Sequence, residues 1–297
     1  MLYNNLSGFF RKKYGQRLKK ICIDGGFSCP NRDGKCGTGG CIYCGERGAG
    51  EHISPELSID AQVRSALANA TPKDKFIAYF QNFSNTYADV NTLRKRYDSA
   101  LIDDRIVALA IGTRPDCIDE EKAALIAEYS KKTDVWVELG LQTSNDTTAK
   151  RINRGYPLSV FDEAVDILTR HKIPIVAHMI IGLPGEALTD AVNTAKYIST
   201  KSGIYGVKIH SIYVMEGTQL AEEYRNNLYT PPTISDYVST AAECVGYIRR
   251  DMIIHRLTGD CPRDLLVAPD WNKDKNEIIS LINKEMEEKK IAQGSLL

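Results

Sequence analysis

Five of the chain's eight cysteines fall between positions 22 and 44, and four of them (Cys29, Cys36, Cys41 and Cys44) share one glycine-rich stretch, Gly25-Gly-Phe-Ser-Cys29 to Cys41-Ile-Tyr-Cys44. Cys41 and Cys44, two residues apart, can grip one face of a metal centre, and a third sulfur from Cys29 or Cys36 can complete it. A flexible loop of this kind can bring thiolates onto a polynuclear cluster from several directions. A four-thiolate zinc site is the competing chemistry, although zinc sites commonly use two close pairs and only one is present. No histidine lies near except His52. A cluster held by three cysteines leaves one iron without a protein ligand, and that iron can chelate an amino and a carboxylate group and pass an electron to them. Cys117, Cys244 and Cys261 are isolated and read as buried thiols.

Such a loop needs a scaffold, and the chain supplies an alternating one. Short apolar runs at Lys20–Asp24, Phe76–Gln81, Ile106–Gly112, Val135–Gln142, Ile175–Ile181 and Val207–Val214 read as strands, several without polar alternation, as buried parallel strands are. Helical periods fall between them, at Ile59–Ala68, Val90–Leu101, Asp119–Lys131, Ser159–His171 and Thr189–Thr200, with Asp119 as an N-cap. This alternation predicts parallel β/α units, a doubly wound sheet or a partial barrel. After Val214 it stops, and two helices follow, near Ser235–Arg249 and Ile278–Glu288. The organisation expected is a basic N-terminal segment (1–19), a β/α body (20–230) and a C-terminal helical extension packed on it (231–297). Polar residues gather where the strands end: Gln81-Asn82, Thr113-Arg-Pro-Asp116, Gln142-Thr-Ser and Gly182-Leu-Pro-Gly-Glu186. In parallel β/α folds that end carries the chemistry.

Length and composition fit a globular chain of one large or two ordinary domains: 297 residues, 43% apolar, 26% charged. Lysine plus arginine equals aspartate plus glutamate at 38 each, so net charge points to neither nucleic acid nor membrane. A local basic cluster (Arg11, Lys12, Lys13, Arg17, Lys19, Lys20) is as compatible with a solvated face as with phosphate contacts. No apolar run is long enough to span a membrane and no secretory signal is visible, so a cytoplasmic location with reduced thiols is expected. Gly182-Leu-Pro-Gly lacks the lysine and spacing of a phosphate loop. Glu138 and Lys208, each inside a strand, are costly to bury alone and can pair with each other. His178 and His210 read equally well as core histidines or as site residues.

The cysteine loop resembles that of the radical S-adenosylmethionine (SAM) superfamily, with Tyr43 as the aromatic residue before the last cysteine. The longer gap from Cys29 to Cys41 resembles the group of the Elongator catalytic subunit. Ile111-Gly-Thr-Arg114-Pro-Asp116, Glu138-Leu-Gly-Leu-Gln142 with Arg151-Ile-Asn-Arg154-Gly, and Ile180-Ile-Gly-Leu-Pro-Gly-Glu186 resemble motifs of that group's third, fourth and fifth strands. Lys208-Ile-His210, His255-Arg-Leu-Thr-Gly-Asp260 and Pro269-Asp-Trp271 resemble later markers of a small bacterial subfamily, with no acetyltransferase domain following. The resemblance implies a partial (βα)6 TIM-like barrel, a [4Fe–4S] cluster on Cys29, Cys41 and Cys44 with Cys36 a bystander, and SAM on the open iron. It implies that Tyr43, Gln81, Arg114, Glu138, Gln142, Arg154, His178 and Ile180 surround SAM. Among these, Gln142 meets the ribose, Arg154 clamps the carboxylate and Ile180 flanks adenine, while Gln81 stands where relatives carry Gly-Gly-Glu and His178 where they often carry an acid. It further implies reductive cleavage of SAM to a 5′-deoxyadenosyl radical, an electron donor such as flavodoxin or ferredoxin, and a tRNA substrate modified at the C5 side chain of the wobble uridine. A small-molecule substrate such as a tetrapyrrole is the enzymatic alternative, and a non-catalytic zinc-stabilised binding module the alternative of another class.

Overall fold

The computed structural model describes residues 2–48, 53 and 56–297; His52 lies outside the described residues. A helix α1 (Leu6–Tyr14) precedes the alternation β1 (Lys19–Ile23), α2 (Ile59–Leu67), β2 (Phe76–Phe80), α3 (Val90–Ala100), β3 (Ile106–Thr113), α4 (Glu120–Tyr129) and β4 (Asp134–Gln142). It continues with α5 (Asp146–Arg151), α6 (Leu158–Arg170), β5 (Ile175–Ile181), α7 (Leu188–Thr200) and β6 (Ile204–Ser211). The rest is β7 (Val214–Met215), α8 (Gln219–Arg225), α9 (Ile234–Tyr247), β8 (Ile253–Arg256), β9 (Leu266–Ala268) and α10 (Lys275–Glu288). Seven strands form one parallel sheet in the order β1-β2-β3-β4-β5-β6-β8, curled into a partial TIM-like barrel with β1 and β8 as its edge strands.

Two differences from the sequence reading follow from length and context. Residues 231–297 are not only helices: α9 leads into β8, which pairs parallel with β6 and adds a seventh strand. Four residues give too short a pattern to be read as a strand. The sixth strand ends at Ser211, and Val214–Met215 turns away to pair antiparallel with β9.

Side-chain alternation divides the sheet into two faces. Ala78, Phe80, Leu109, Ile111, Val137 and Leu139 point outward into the main core beneath the helices, with Leu93, Phe161 and Val165. Ile77, Tyr79, Ala108, Ala110, Trp136 and Val176 point inward and form a separate cluster with Leu6 and Phe10 of α1. The basic N-terminal segment therefore carries a helix packed on the barrel interior. Asn5 caps α1 by accepting from the Gly8 amide, and Gly15 ends it at φ +73°. The helix crosses the barrel where the strands begin: Tyr14 donates to Asp134 at the start of β4, Lys13 pairs with the same carboxylate at 2.5 Å, and Phe9 meets Tyr205 at the start of β6. The basic face of α1 thus lies at the opposite end of the barrel from the cysteine loop.

Candidate active site

The cysteine loop sits on the carboxyl end of β1 and is fastened by hydrogen bonds to residues far away in sequence. The buried Asn31 donates through Nδ2 to the Asn153 carbonyl at 2.6 Å, and Asn153 donates back to the Gly40 carbonyl at 2.7 Å. The Ile42 amide donates to the Ile152 carbonyl, and the Leu220 amide to the Ile42 carbonyl. Arg32 folds under the loop's end, donating to the carbonyls of Cys44, Gly45 and Glu46 at 2.9, 2.5 and 3.1 Å. Gly40 makes this closure possible: its φ is +80°, and a Cβ there would stand 2.8 Å from the Arg32 Nε.

Cys29, Cys41, Cys44 and Tyr43 line one cavity of about 230 Å³. Cys36 does not; it is exposed, with its Sγ 3.6 Å from Arg114 Nη2 and 3.7 Å from Asp116 Oδ2. Among the described residues no three His, Cys, Asp or Glu side chains close on a single ion. All eight cysteines are free of disulfides. Burial, with Cys44 and Cys29 nearby, pushes the Cys41 thiol up to about 12. Three soft sulfur donors on one cavity wall fit an iron–sulfur cluster.

The strand ends supply the facing walls. Gln81 after β2, Arg114 after β3, Glu138 and Gln142 on β4, His178 on β5 and Arg154 before α6 all line the same cavity. Ile180 lines an adjoining cavity of about 130 Å³ together with Tyr43, Gln142, His178 and His210. Gln142 adopts φ +66° at a register shift in the β4–β5 pairing, which turns its amide into the cavity mouth rather than along the strand.

Arg154 departs from its expected part. It is 1% exposed, and its guanidinium donates to the carbonyls of Leu141 (2.7 Å), Thr143 (2.7 Å) and Tyr156 (3.0 and 3.1 Å) and to Asp146 at 3.2 Å. Those five contacts use its five N–H groups, leaving no fork for a carboxylate. Arg154 is a strut that holds the Gln142 turn, and its carbonyl receives Arg114 Nη1 at 2.9 Å. Arg114 also pairs with Asp116 at 2.7 Å, and both guanidiniums lie on the Tyr156 ring, at 4.7 and 4.6 Å. The Arg151–Gly155 stretch therefore positions the cysteine loop and the strand-four turn.

Deeper in the barrel lies a buried ionic cluster. Glu138, 2% exposed, accepts from Lys208 and from Trp136 Nε1 at 3.0 Å and lies 3.0 Å from His178 Nε2. Lys208 Nζ is 3.1 Å from the Tyr79 hydroxyl. Burial works against the Glu138 charge, yet Lys208, His178 and Lys20 hold its carboxyl well below the usual carboxylate range. Burial, with Lys20 and Arg256 nearby, brings Lys208 down to about 7 against the pull of Glu138. Burial also lowers His178 and His210, which stack at 5.4 Å, so both are neutral imidazoles near pH 7.

Tyr79, Tyr156, Tyr213, Arg256 and Asp260 line the cavity without having been singled out as site residues from sequence. Tyr79 was open to discovery, since it stands two residues before Gln81 on the same strand face. Arg256 and Asp260 lay within a noted motif, but the strand that carries Arg256 was not foreseen.

Comparison with known proteins places this architecture. The radical SAM superfamily matches residues 34–198, more than half of the chain, and the radical SAM C-terminal domain matches 204–288. The uncharacterized protein YtqA of Bacillus subtilis is 36% identical over 98% of this chain and 92% of its own length. The tRNA uridine(34) acetyltransferase of Methanocaldococcus infernus is 27% identical over 62% of this chain, which spans 34% of that protein. The structure of Methanocaldococcus infernus Elp3 with an N-terminal deletion superimposes with a TM-score of 0.70 at 19% identity, covering 93% of this chain and 64% of that one; at that identity the likeness speaks for the fold. With its cysteine loop, curled parallel sheet and polar strand ends, this chain belongs to the radical SAM superfamily, and so to the enzymes whose chemistry rests on an iron–sulfur cluster and SAM.

Proposed function

We propose that Cys29, Cys41 and Cys44 hold a [4Fe–4S] cluster, that SAM occupies the cavity beside it, and that the enzyme modifies the C5 side chain of a tRNA wobble uridine. The observation that carries the reading is the convergence of the Cys29, Cys41 and Cys44 sulfurs, none of them in a disulfide, and the polar ends of five parallel strands on one cavity. A cluster held by Cys29, Cys41 and Cys44, with a donor such as flavodoxin or ferredoxin, would supply one-electron reduction to SAM bound beside it, the source of 5′-deoxyadenosyl radical chemistry. The chain's own residues bind, orient and shield. Gln142, turned into the cavity mouth, offers an amide to ribose hydroxyls; Gln81 and Tyr43 flank the methionine end; Ile180 gives an apolar wall for adenine. Arg114 and Arg154 stiffen that wall through Tyr156 and backbone carbonyls. Glu138 and His178 close the cavity floor with their hydrogen bonds already spent on each other and on Lys208.

The tRNA substrate is supported by the relatives named as tRNA uridine(34) acetyltransferases. It is also supported by cations paired with aromatic rings in the loops above the strands: Lys35 on Tyr87 at 5.0 Å and Arg32 on Phe83 at 5.6 Å. Such pairs suit a polyanion with stacking bases, and they replace the N-terminal helix as the phosphate-facing surface. Two measurements test the reading. Anaerobically reconstituted protein is expected to bind about four irons per chain, one cubane cluster, and to cleave SAM on reduction; a colourless zinc protein would refute this. Mass spectrometry of tRNA nucleosides from a deletion strain should show an altered wobble uridine, and an unchanged profile would remove the tRNA substrate.

A further inference from the structure

Resting on the reading above, we infer that Lys20, Lys208 and Arg256 form a subsite for an anionic group of the substrate, a carboxylate or a phosphate, beside the edge strands of the barrel.

The three cations come from strands that meet only through the curl of the sheet. Lys20 is on the edge strand β1; Lys208 on β6 and Arg256 on the other edge strand β8 are register partners. Lys208 and Arg256 line the cavity, and the Tyr79 ring joins the two lysines, with Lys208 Nζ 4.6 Å and Lys20 Nζ 5.4 Å from its centroid. All three stand below the cysteine loop, because Lys20 is the second residue of β1 and Lys208 lies three residues before the end of β6.

Opposing charge is scarce there. Glu138 is engaged by Lys208, Trp136 and His178. Asp260 is bound by Lys275 from outside the cavity and meets Arg256 only through Nη2 at 3.4 Å. The remaining N–H groups of Arg256 have no partner among the described residues. Three cations face two engaged carboxylates, Glu138 and Asp260, which leaves an excess of positive charge that an entering anion offsets. Lys20 is exposed on β1, so solvent reaches this side of the group. A planar guanidinium with free donors takes a carboxylate or a phosphate in two parallel bonds.

The test is calorimetric titration of the reconstituted full chain at saturating SAM with three probes: 5-carboxymethyluridine, its methyl ester, and uridine 5′-monophosphate. At least one anion is expected to bind about tenfold tighter than the neutral ester. Preference for the acid assigns the group to the base's side chain, and preference for the monophosphate assigns it to the backbone. Arg256→Gln should erase the preference, Arg256→Lys should keep part of it, and Arg11→Gln on the far helix should not change it. Arg256→Gln should also melt no lower than wild type, since it relieves repulsion. An ester bound as tightly as both anions, an unchanged preference in Arg256→Gln, a lowered melting temperature in that variant, or loss of anion binding when SAM is added would each overturn the subsite. A wild-type protein that cleaves SAM but shows no anion preference defeats the subsite alone. One that prefers the anions yet holds no iron defeats the proposed function alone.

Discussion

The two ends of the barrel are built from the same strands and do opposite work. At the floor, the inward residues are Ile77, Ala108, Trp136 and Val176, sealed by Leu6 and Phe10 of α1. One or two pleats further along, the inward residues are Gln81, Glu138, Gln142, His178 and Lys208, which line the cavity. The pleat is constant while the chemistry changes from apolar to polar within two or three residues. Placing the apolar half first means that the floor excludes water beneath a site whose ionic contacts are strengthened by that exclusion.

The sharpest way to break this comparison is at the top. Replacing Cys29, Cys41 or Cys44 by alanine is expected to abolish iron retention and SAM cleavage while leaving the circular dichroism melt nearly unchanged, whereas Cys36→Ala keeps both. Loss of iron in the Cys36 variant would show that the wrong three sulfurs had been chosen. Next is the boundary between the halves. Lys208→Met leaves Glu138 charged and buried without its main partner and should cost about 4 kcal/mol; adding Glu138→Gln should restore much of it. A double variant no more stable than the single one would mean that the pair is not coupled. At the floor, Phe10→Ala should cost about 3 kcal/mol through the cavity it leaves yet retain full iron content at low temperature, the reverse of the cysteine variants.

The smallest effect concerns Glu186, after β5. Burial pushes its carboxyl up to about 7, against a hydrogen bond from Thr143. A carboxyl whose folded pKa is raised favours the folded state while protonated, so its share of stability is present below the unfolded value and is lost as pH rises towards 7. Melting temperature should therefore decline across that window, and Glu186→Gln should flatten the decline; parallel curves for the two proteins would rule out the assignment.

Much of the fold could be read directly from the chain. The six β/α strands and the intervening helices fall within a few residues of where their periodicity puts them, because long buried strands and capped helices carry local signals. Asp119 is an example: its side chain accepts from the Lys122 amide at 2.9 Å, as its position ahead of a helical period suggests. The elements that escaped notice are short or depend on distant partners: α1 has an apolar face of few residues, and β8 has only four positions. For the candidate site, residue types and strand ends identified which side chains gather, but not what each one holds. Arg154 looked like a free guanidinium because nothing local reveals that the carbonyls of Leu141, Thr143 and Tyr156 surround it.

The sequence by itself determined the sulfur-rich loop, the parallel β/α scaffold and the polar residues at the ends of its strands, since these rest on spacing and on period. The tertiary structure alone decided that Cys36 turns away towards Arg114, that the basic helix floors the barrel, and that Glu138 and Lys208 meet across two strand pairings. The reason is physical. Each of those outcomes depends on groups separated by 70 residues or more that come within bonding distance only when the sheet curls, and no local pattern encodes that closure.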